Sequence, residues 1–177
     1  MDSVAEVVSA ASMRGELERI HADAFGWAMA LAGGDRIEAE EALQVSFLRI
    51  LSGGACFGGR SSLKTWVFGV IRIVVAERRR RAAVRRLARL RWLGPGEPID
   101  PSPDPAALAE RAERARRTRR ALARLSPRQR EVLHLVFYQG LTLEDSAEVL
   151  GISSGSVRTH YERGKARLRT LLAVEAR

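Results

Sequence analysis

Residues 141–168, "LTLEDSAEVLGISSGSVRTHYERGKARL", decide the fold. Thr142 with Asp145 three residues later is a helix start that lets side chain and backbone cap each other, and Gly151 ends that short helix. Ser153 opens a second helix on which Val157, Tyr161, Gly164, Leu168 and, just beyond, Leu171 keep helical spacing. Two helices broken at "LGIS" by a tight glycine-containing turn form the helix-turn-helix pattern. In that geometry the first residues of the second helix enter the major groove of DNA. Ser154, Arg158 and Glu162 line one side of this helix and Gly155, Thr159 and Arg163 the adjacent one, opposite the apolar stripe. A guanidinium reaches two acceptors on guanine, hydroxyls fit phosphate or base edges, and small residues at the tip let backbone N–H groups approach a phosphate. On pattern alone, an amphipathic helix with an ordinary solvated face remains the alternative.

Working outward, Ser126, Pro127 at the first helical position and Gln129 make another capping start, and Gly140 ends that helix. Leu108, Ala112, Ala115, Leu122 and Leu125 define a helix before it, so the back half reads as four helices around a small shared core. Residues 94–105, "GPGEPIDPSPDP", hold five of the six prolines, which excludes helix and central strand. They read as a semi-extended linker that holds the two halves apart while leaving them free to reorient. In front of it, Leu17, Ile20, Ala24, Trp27 or Ala28, and Leu31 form one stripe closed by Gly33-Gly34. Asp35 with Glu38 starts a second helix whose Ala39, Leu43, Phe47 and Ile50 point inward. After "CFGGRSS" a third helix places Leu63, Trp66 or Val67, Val70 and Val74 on one face and runs on into "ERRRR". No stretch alternates with period two, so the fold class is all-α: two small helical domains, 1–93 and 106–177, joined by the linker.

Charge follows the same division. Of 177 residues, 30 are Lys or Arg and 21 Asp or Glu, and only Lys64 and Lys165 are lysines. Residues 1–59 carry net −5, residues 60–93 net +10, residues 94–105 net −3 and residues 106–177 net +7. An acidic front and two basic blocks suit different partners on different surfaces. Arg78 to Arg81, with Arg85, Arg86, Arg89 and Arg91, are dense enough for phosphate neutralisation. One cysteine, Cys56, excludes an internal disulfide, and His21, His134 and His160 join it in no zinc-ligand spacing, so neither metal nor cofactor is expected. No apolar run approaches the ~20 residues of a membrane span, and the chain reads as cytoplasmic.

Residues 121–172, "LARLSPRQREVLHLVFYQGLTLEDSAEVLGISSGSVRTHYERGKARLRTLL", resemble the promoter-binding C-terminal domain of extracytoplasmic-function sigma factors of bacterial RNA polymerase. Residues 39–50, "AEEALQVSFLRI", resemble that family's core-binding helix, and residues 57–81, "FGGRSSLKTWVFGVIRIVVAERRRR", its promoter-melting segment. The resemblance implies a dissociable sigma factor with no enzymatic activity, directing core polymerase to promoters through their minus-35 and minus-10 elements. Its implied partners are core RNA polymerase, promoter DNA and an anti-sigma factor. The roles carried over are core binding by Glu40, Glu41, Gln44 and Arg49; upstream-element recognition by Ser154, Ser156, Arg158, Thr159 and Arg163; and downstream-element contact or melting by Ser61, Ser62, Lys64, Trp66, Arg72, Ile73, Arg78, Arg79, Arg80 and Arg81. Gln44 is expected on the exposed side, Phe47 in the core of its own domain, and Trp66 in packing more than in base stacking.

Two positions depart from the family's pattern. Val45 stands where an acidic residue is usual, and Ile73 where an asparagine is usual, which removes an amide that would hydrogen-bond an unstacked base. Two rivals compete with the sigma-factor reading. "LSPRQREVL" and "SVRTH" also resemble response-regulator helix-turn-helix domains, but the front half shows neither strands nor the paired aspartates of a phosphoacceptor pocket. A nucleic-acid enzyme would need clustered carboxylates, and Glu38, Glu40 and Glu41 are the one candidate group, better read as an exposed helix face.

Overall fold

A computed structural model of the chain describes residues 10–90 and 109–175, and the side chains of 12–84 and 116–174. The linker 94–105, Leu108 and Arg91 lie outside the described residues, as do the side chains of Arg85, Arg86, Arg89, Ala112 and Ala115. The described helices are α1 (Ala10–Arg19), α2 (His21–Ala32), α3 (Arg36–Leu51), α4 (Leu63–Leu90), α5 (Ala109–Ala123), α6 (Pro127–Leu133), α7 (Leu143–Leu150) and α8 (Ser154–Glu175). No strand occurs among the described residues.

Where side chains cap backbone, the elements begin where the sequence places them. The Asp35 carboxylate accepts from the Glu38 N–H at 3.1 Å. Ser126 with Gln129, and Thr142 with Asp145, form reciprocal capping boxes. Gly151 ends α7 at φ +61°, a left-handed conformation that glycine adopts without a Cβ penalty, and α8 starts three residues later. Two local features differ from expectation. The single front helix is stepped at Ile20 (φ −96°, ψ 4°), although Ile20 N–H still reaches Glu16 and its carbonyl still accepts from Ala24. The helix ending at Gly140 finishes as a π-helical turn, His134–Tyr138, in which the Gln139 N–H donates to the His134 carbonyl. One extra residue in a turn leaves no mark on an apolar stripe, so periodicity does not reveal it.

The larger correction concerns the halves themselves. They are not held apart: one apolar core runs from α1 through α2, α3 and α4 into α6, α7 and the start of α8. Leu17, Ala24, Trp27, Leu31, Ala39, Leu43, Ile50, Val67, Val70 and Val74 are buried as the periodicity requires, and Phe47 packs against them half-buried. The same core also buries Phe68, Ile71 and Val75 of α4, together with Val132, Leu135, Leu150 and Val157. A helix packed on one side buries one stripe, whereas α4 is covered by α2 and α3 and also by α7, so its buried arc is wider. Trp27 sits at the join. Its indole stacks on Phe68 at 6.1 Å between ring centroids, lies 5.5 Å from the His134 ring, and donates from Nε1 to the Phe68 carbonyl at 3.1 Å. A smaller cluster, Ala121, Leu125, Leu133 and Leu171, is the part of the back half's core that stays its own.

Candidate nucleic-acid interface

The N-terminal turns of α8 stand clear of the core. Val157 is fully buried, while Ser154, Gly155, Ser156, Arg158, Thr159, Glu162 and Arg163 are exposed. The Ser153 hydroxyl accepts from the Ser156 N–H at 3.2 Å and pairs with the Ser156 hydroxyl at 2.9 Å, fixing the helix entry. Thr159 donates to the Gly155 carbonyl at 3.0 Å, which leaves its oxygen lone pairs facing outward. Glu162 pairs with Lys165, whereas Arg158 and Arg163 make no ion pair among the described residues. Two unpaired guanidiniums, small side chains and an ordered helix N-terminus form a surface suited to base edges and phosphates.

The segment from Ser61 through α4 divides into three parts. At its start the Ser62 hydroxyl caps the Thr65 N–H at 3.0 Å, so this serine orders the helix entry; Ser61 lies half-buried beside it. Trp66 is half-buried with its ring 5.3 Å from Phe57, in packing. Lys64 does not face outward: its ammonium pairs with Asp23 at 2.7 Å, donates to the Gln139 carbonyl at 3.1 Å and lies over the Phe68 ring. In the middle of α4, Ile73 is 51 % exposed. Arg72 is half-buried, and burial first and the nearby Arg128 second lower its pKa, against an opposing pull from Glu131. Towards the end of the segment, Arg78 forks onto Glu38 and also meets Glu41, while Arg79 donates to the Leu31 carbonyl. The hydrogen bonds that Arg78 donates to Glu38 raise its pKa further, so its charge is permanent. Arg80 and Arg81 are exposed and make no ion pair among the described residues.

The third candidate surface is α3. Glu40, Glu41 and Gln44 are exposed on it as expected, joined by Ile37 at 71 % and Leu48 at 67 % exposure. Arg49 differs, because it is held bidentately by Glu77 at 2.8 and 3.3 Å and ties α3 to α4. That bond raises the Arg49 pKa and lowers that of Glu77. The groove beside Gln44 and Glu40 is completed by His21 and Phe25 of α2 and by Arg36, which lies 5.8 Å over the Phe25 ring. Sequence reasoning missed these three, since nothing local to α2 announces which face meets α3. It also missed the long-range contacts of Asp23, Gln139 and Asp145, whose partners across the fold lie 41 to 116 residues away in the chain. No group of three or more His, Cys, Asp or Glu side chains among the described residues is arranged to hold a metal ion, and none of their helices is long and apolar enough to cross a membrane.

Two domain families match this chain: sigma-70 region 2 over residues 17–92 and sigma-70 region 4 over residues 121–170. The extracytoplasmic-function (ECF) RNA polymerase sigma factor SigX of Bacillus subtilis is 32% identical over 138 residues, 76% of this chain and 71% of that protein. SigL of Mycobacterium tuberculosis, also an ECF sigma factor, is 31% identical over 162 residues, 90% of this chain and 89% of its own length. SigM of the same organism is 31% identical, with 64% of its length spanned. Among solved structures, the sigma factor RpoE in complex with the anti-sigma factor NepR from Bartonella quintana matches with a TM-score of 0.70 at 23% identity, covering 91% of this chain and 96% of that one. CnrH in complex with the cytosolic domain of CnrY matches at 0.61 and 22%, covering 93% and 89%. These likenesses show a shared helical fold, and a region 2 match in the front half is not the receiver domain that a response regulator would carry. By its paired regions and the relatives that span most of its length, the chain belongs to the extracytoplasmic-function family of RNA polymerase sigma factors.

Proposed function

We propose that this sigma factor reads the minus-35 element with α8 and engages the minus-10 element with α4, while α3 docks on core polymerase. The domains that do so are residues 1–93 and 106–177, with 94–105 as the linker between them. The observation that carries the upstream assignment is the pair Arg158 and Arg163, exposed and without ion-pair partners among the described residues, on the face opposite buried Val157. Ser154, Ser156 and Thr159 supply hydroxyls beside them. Arg80 and Arg81 neutralise phosphates downstream, and Ile73 presents an apolar contact to the melted strand. Glu40, Glu41 and Gln44 form the polar part of the core-binding face, which Ile37 and Leu48 extend with apolar surface. Arg49 and Arg78 act through the geometry of α3 and α4, since both are engaged by carboxylates.

The contribution is binding, not catalysis, and it takes place where the polymerase is, in the cytoplasm. An anti-sigma factor is a further partner, on the analogy of the RpoE and CnrH complexes. Transcripts made by core polymerase with and without this protein, on fragmented genomic DNA, provide the test. Start sites that share an upstream and a downstream motif, and that shift when Arg158 is replaced, are the expected result. Transcription unaltered by adding the protein overturns the reading.

A further inference from the structure

Arg72 sits where an unpartnered cation is costly. It lies half-buried on α4, which packs against α7, and its Nη1 is 3.9 Å from the position a Cβ would take at Gly151, the left-handed cap of α7. A guanidinium carries five N–H donors in a fixed fork and no acceptor. None of those of Arg72 finds a hydrogen bond or ion pair among the described residues. Arg80 and Arg81 are unpaired too, but they are exposed and water solvates them. Arg49 and Arg78 are half-buried, and each is held by a carboxylate. Arg72 shares the burial of the second pair and lacks its carboxylates.

The neighbouring charges deepen the deficit. Arg128, near the start of α6 and also half-buried, is close enough to repel Arg72, and this repulsion outweighs the attraction of Glu131. Glu131 is itself engaged by Arg128 at 2.7 Å. Two guanidiniums and one carboxylate, brought together from α4 and α6, leave one net positive charge where solvent is partly excluded. Such a charge is costly unless an anion meets it. The donors suit an anion with several oxygens. Guanidiniums bind phosphate through paired N–H···O bonds, and two of them from different helices can share one tetrahedral oxyanion.

We propose that Arg72 and Arg128 form a binding site for a phosphate-class oxyanion at the junction of α4, α6 and α7. The site uses neither the N-terminal turns of α8 nor Arg80 and Arg81, so it stands apart from the promoter contacts assigned above. Its oxyanion comes from free phosphate or from a nucleic-acid backbone, which present the same chemistry to a guanidinium. One cation comes from each half of the chain, so a bound oxyanion ties α4 to α6 and stabilises the folded protein by mass action. Glu131 competes with the anion for Arg128 and weakens its binding.

The test melts the full chain, dialysed into chloride buffer, at rising inorganic phosphate with ionic strength held constant by sodium chloride. A saturable rise in Tm is expected. Arg72→Gln and Arg128→Gln are each expected to raise the half-saturating phosphate at least about tenfold, and Glu131→Gln to lower it roughly threefold. Arg80→Gln, exposed further along α4, is expected to leave the response intact. Should Arg72→Gln not fold, the opposed responses of Arg128→Gln and Glu131→Gln carry the test. A Tm that chloride raises as much as phosphate does, or a phosphate response equal in the parent and in these three variants, overturns the proposal. The source is read from fluorescence anisotropy of a short labelled duplex of unrelated sequence. Competition by phosphate that disappears in Arg72→Gln supports a site for a nucleic-acid backbone. Equal duplex affinity in parent and Arg72→Gln, together with the expected Tm response, supports a site for free phosphate.

Discussion

Arg158 and Lys64 carry the same charge and were assigned the same kind of partner, yet the fold treats them oppositely. Arg158 stands exposed with no ion pair among the described residues, whereas Lys64 is enclosed by Asp23, Gln139 and Phe68. Arg158→Ala is expected to cost about 1–3 kcal/mol of promoter affinity and to relax preference at one upstream position, measured by binding to single-base variants. An equal loss on every sequence, with a shallower salt slope, would move Arg158 to the phosphate backbone. Ile73 tests the downstream side. It is half-exposed on α4, so Ile73→Asn places an amide donor and acceptor on the surface without disturbing the buried arc. Abortive transcription on downstream-element variants is expected to show sharper discrimination at one position, with upstream binding unchanged.

His134 offers a third residue-scale outcome. Burial against Trp27 pushes its pKa down from 6.5 to about 4, and its Nε2 meets Gln139 Nε2 at 3.1 Å. The unfolded protein binds this proton more readily than the folded one. Stability from a neutral His134 is therefore complete above about pH 6.5 and is lost progressively as pH falls towards 4. Thermal melts between pH 7 and 4.5 are expected to fall more steeply for the parent than for His134→Phe.

At the scale of the element, α8 depends on a glycine. A Cβ at Gly164 would stand 3.2 Å from Gln129 Cβ and 3.3 Å from Leu133 Cδ1, so the absence of a side chain is what lets α8 lie against α6. Gly164→Ala improves helix propensity by up to about 1 kcal/mol but requires the Gln129 and Leu133 side chains to give way by a few tenths of an ångström at a close helix contact. A net loss of about 1–3 kcal/mol in denaturant melts is expected, together with weaker promoter binding as α8 shifts. Periodicity alone placed Gly164 on the apolar stripe, and the structure supplies the reason. In α3, by contrast, the face was legible from the start: alternation of buried Ala39, Leu43 and Ile50 with exposed Glu40, Glu41 and Gln44 is a property of one helix. Arg49 was not legible in the same way, because its partner Glu77 belongs to α4.

For the molecule as a whole, the basic surface left free in the fold is narrower than the sequence total suggests. Arg49, Lys64 and Arg78 are engaged by carboxylates within the protein, while Arg80, Arg81, Arg158 and Arg163 remain available. Replacing Arg80 and Arg81 together by Ala is expected to reduce the slope of log K against log salt by about 2, with sequence preference intact. The same double change at Arg49 and Arg78 is expected to leave the slope nearly unaltered and to lower the melting temperature instead, since each ties α4 to α3.

The sequence by itself determined the all-helical class, the helix starts at Asp35, Ser126 and Thr142, the stop at Gly151, the inner stripes of α2 and α3, and the exposed polar face of α8. All of these rest on interactions within a few residues of one another, where capping chemistry and a 3.6-residue period act directly. Tertiary structure alone decided that α4 is buried on a wide arc by Phe68, Ile71 and Val75, and that Lys64, Thr65 and Arg72 face the other half of the chain. It also decided that a proline-rich spacer does not keep the halves apart. A linker's composition sets how freely its ends move, but where they come to rest depends on which apolar faces remain uncovered, and that is known only once every helix has found its neighbour.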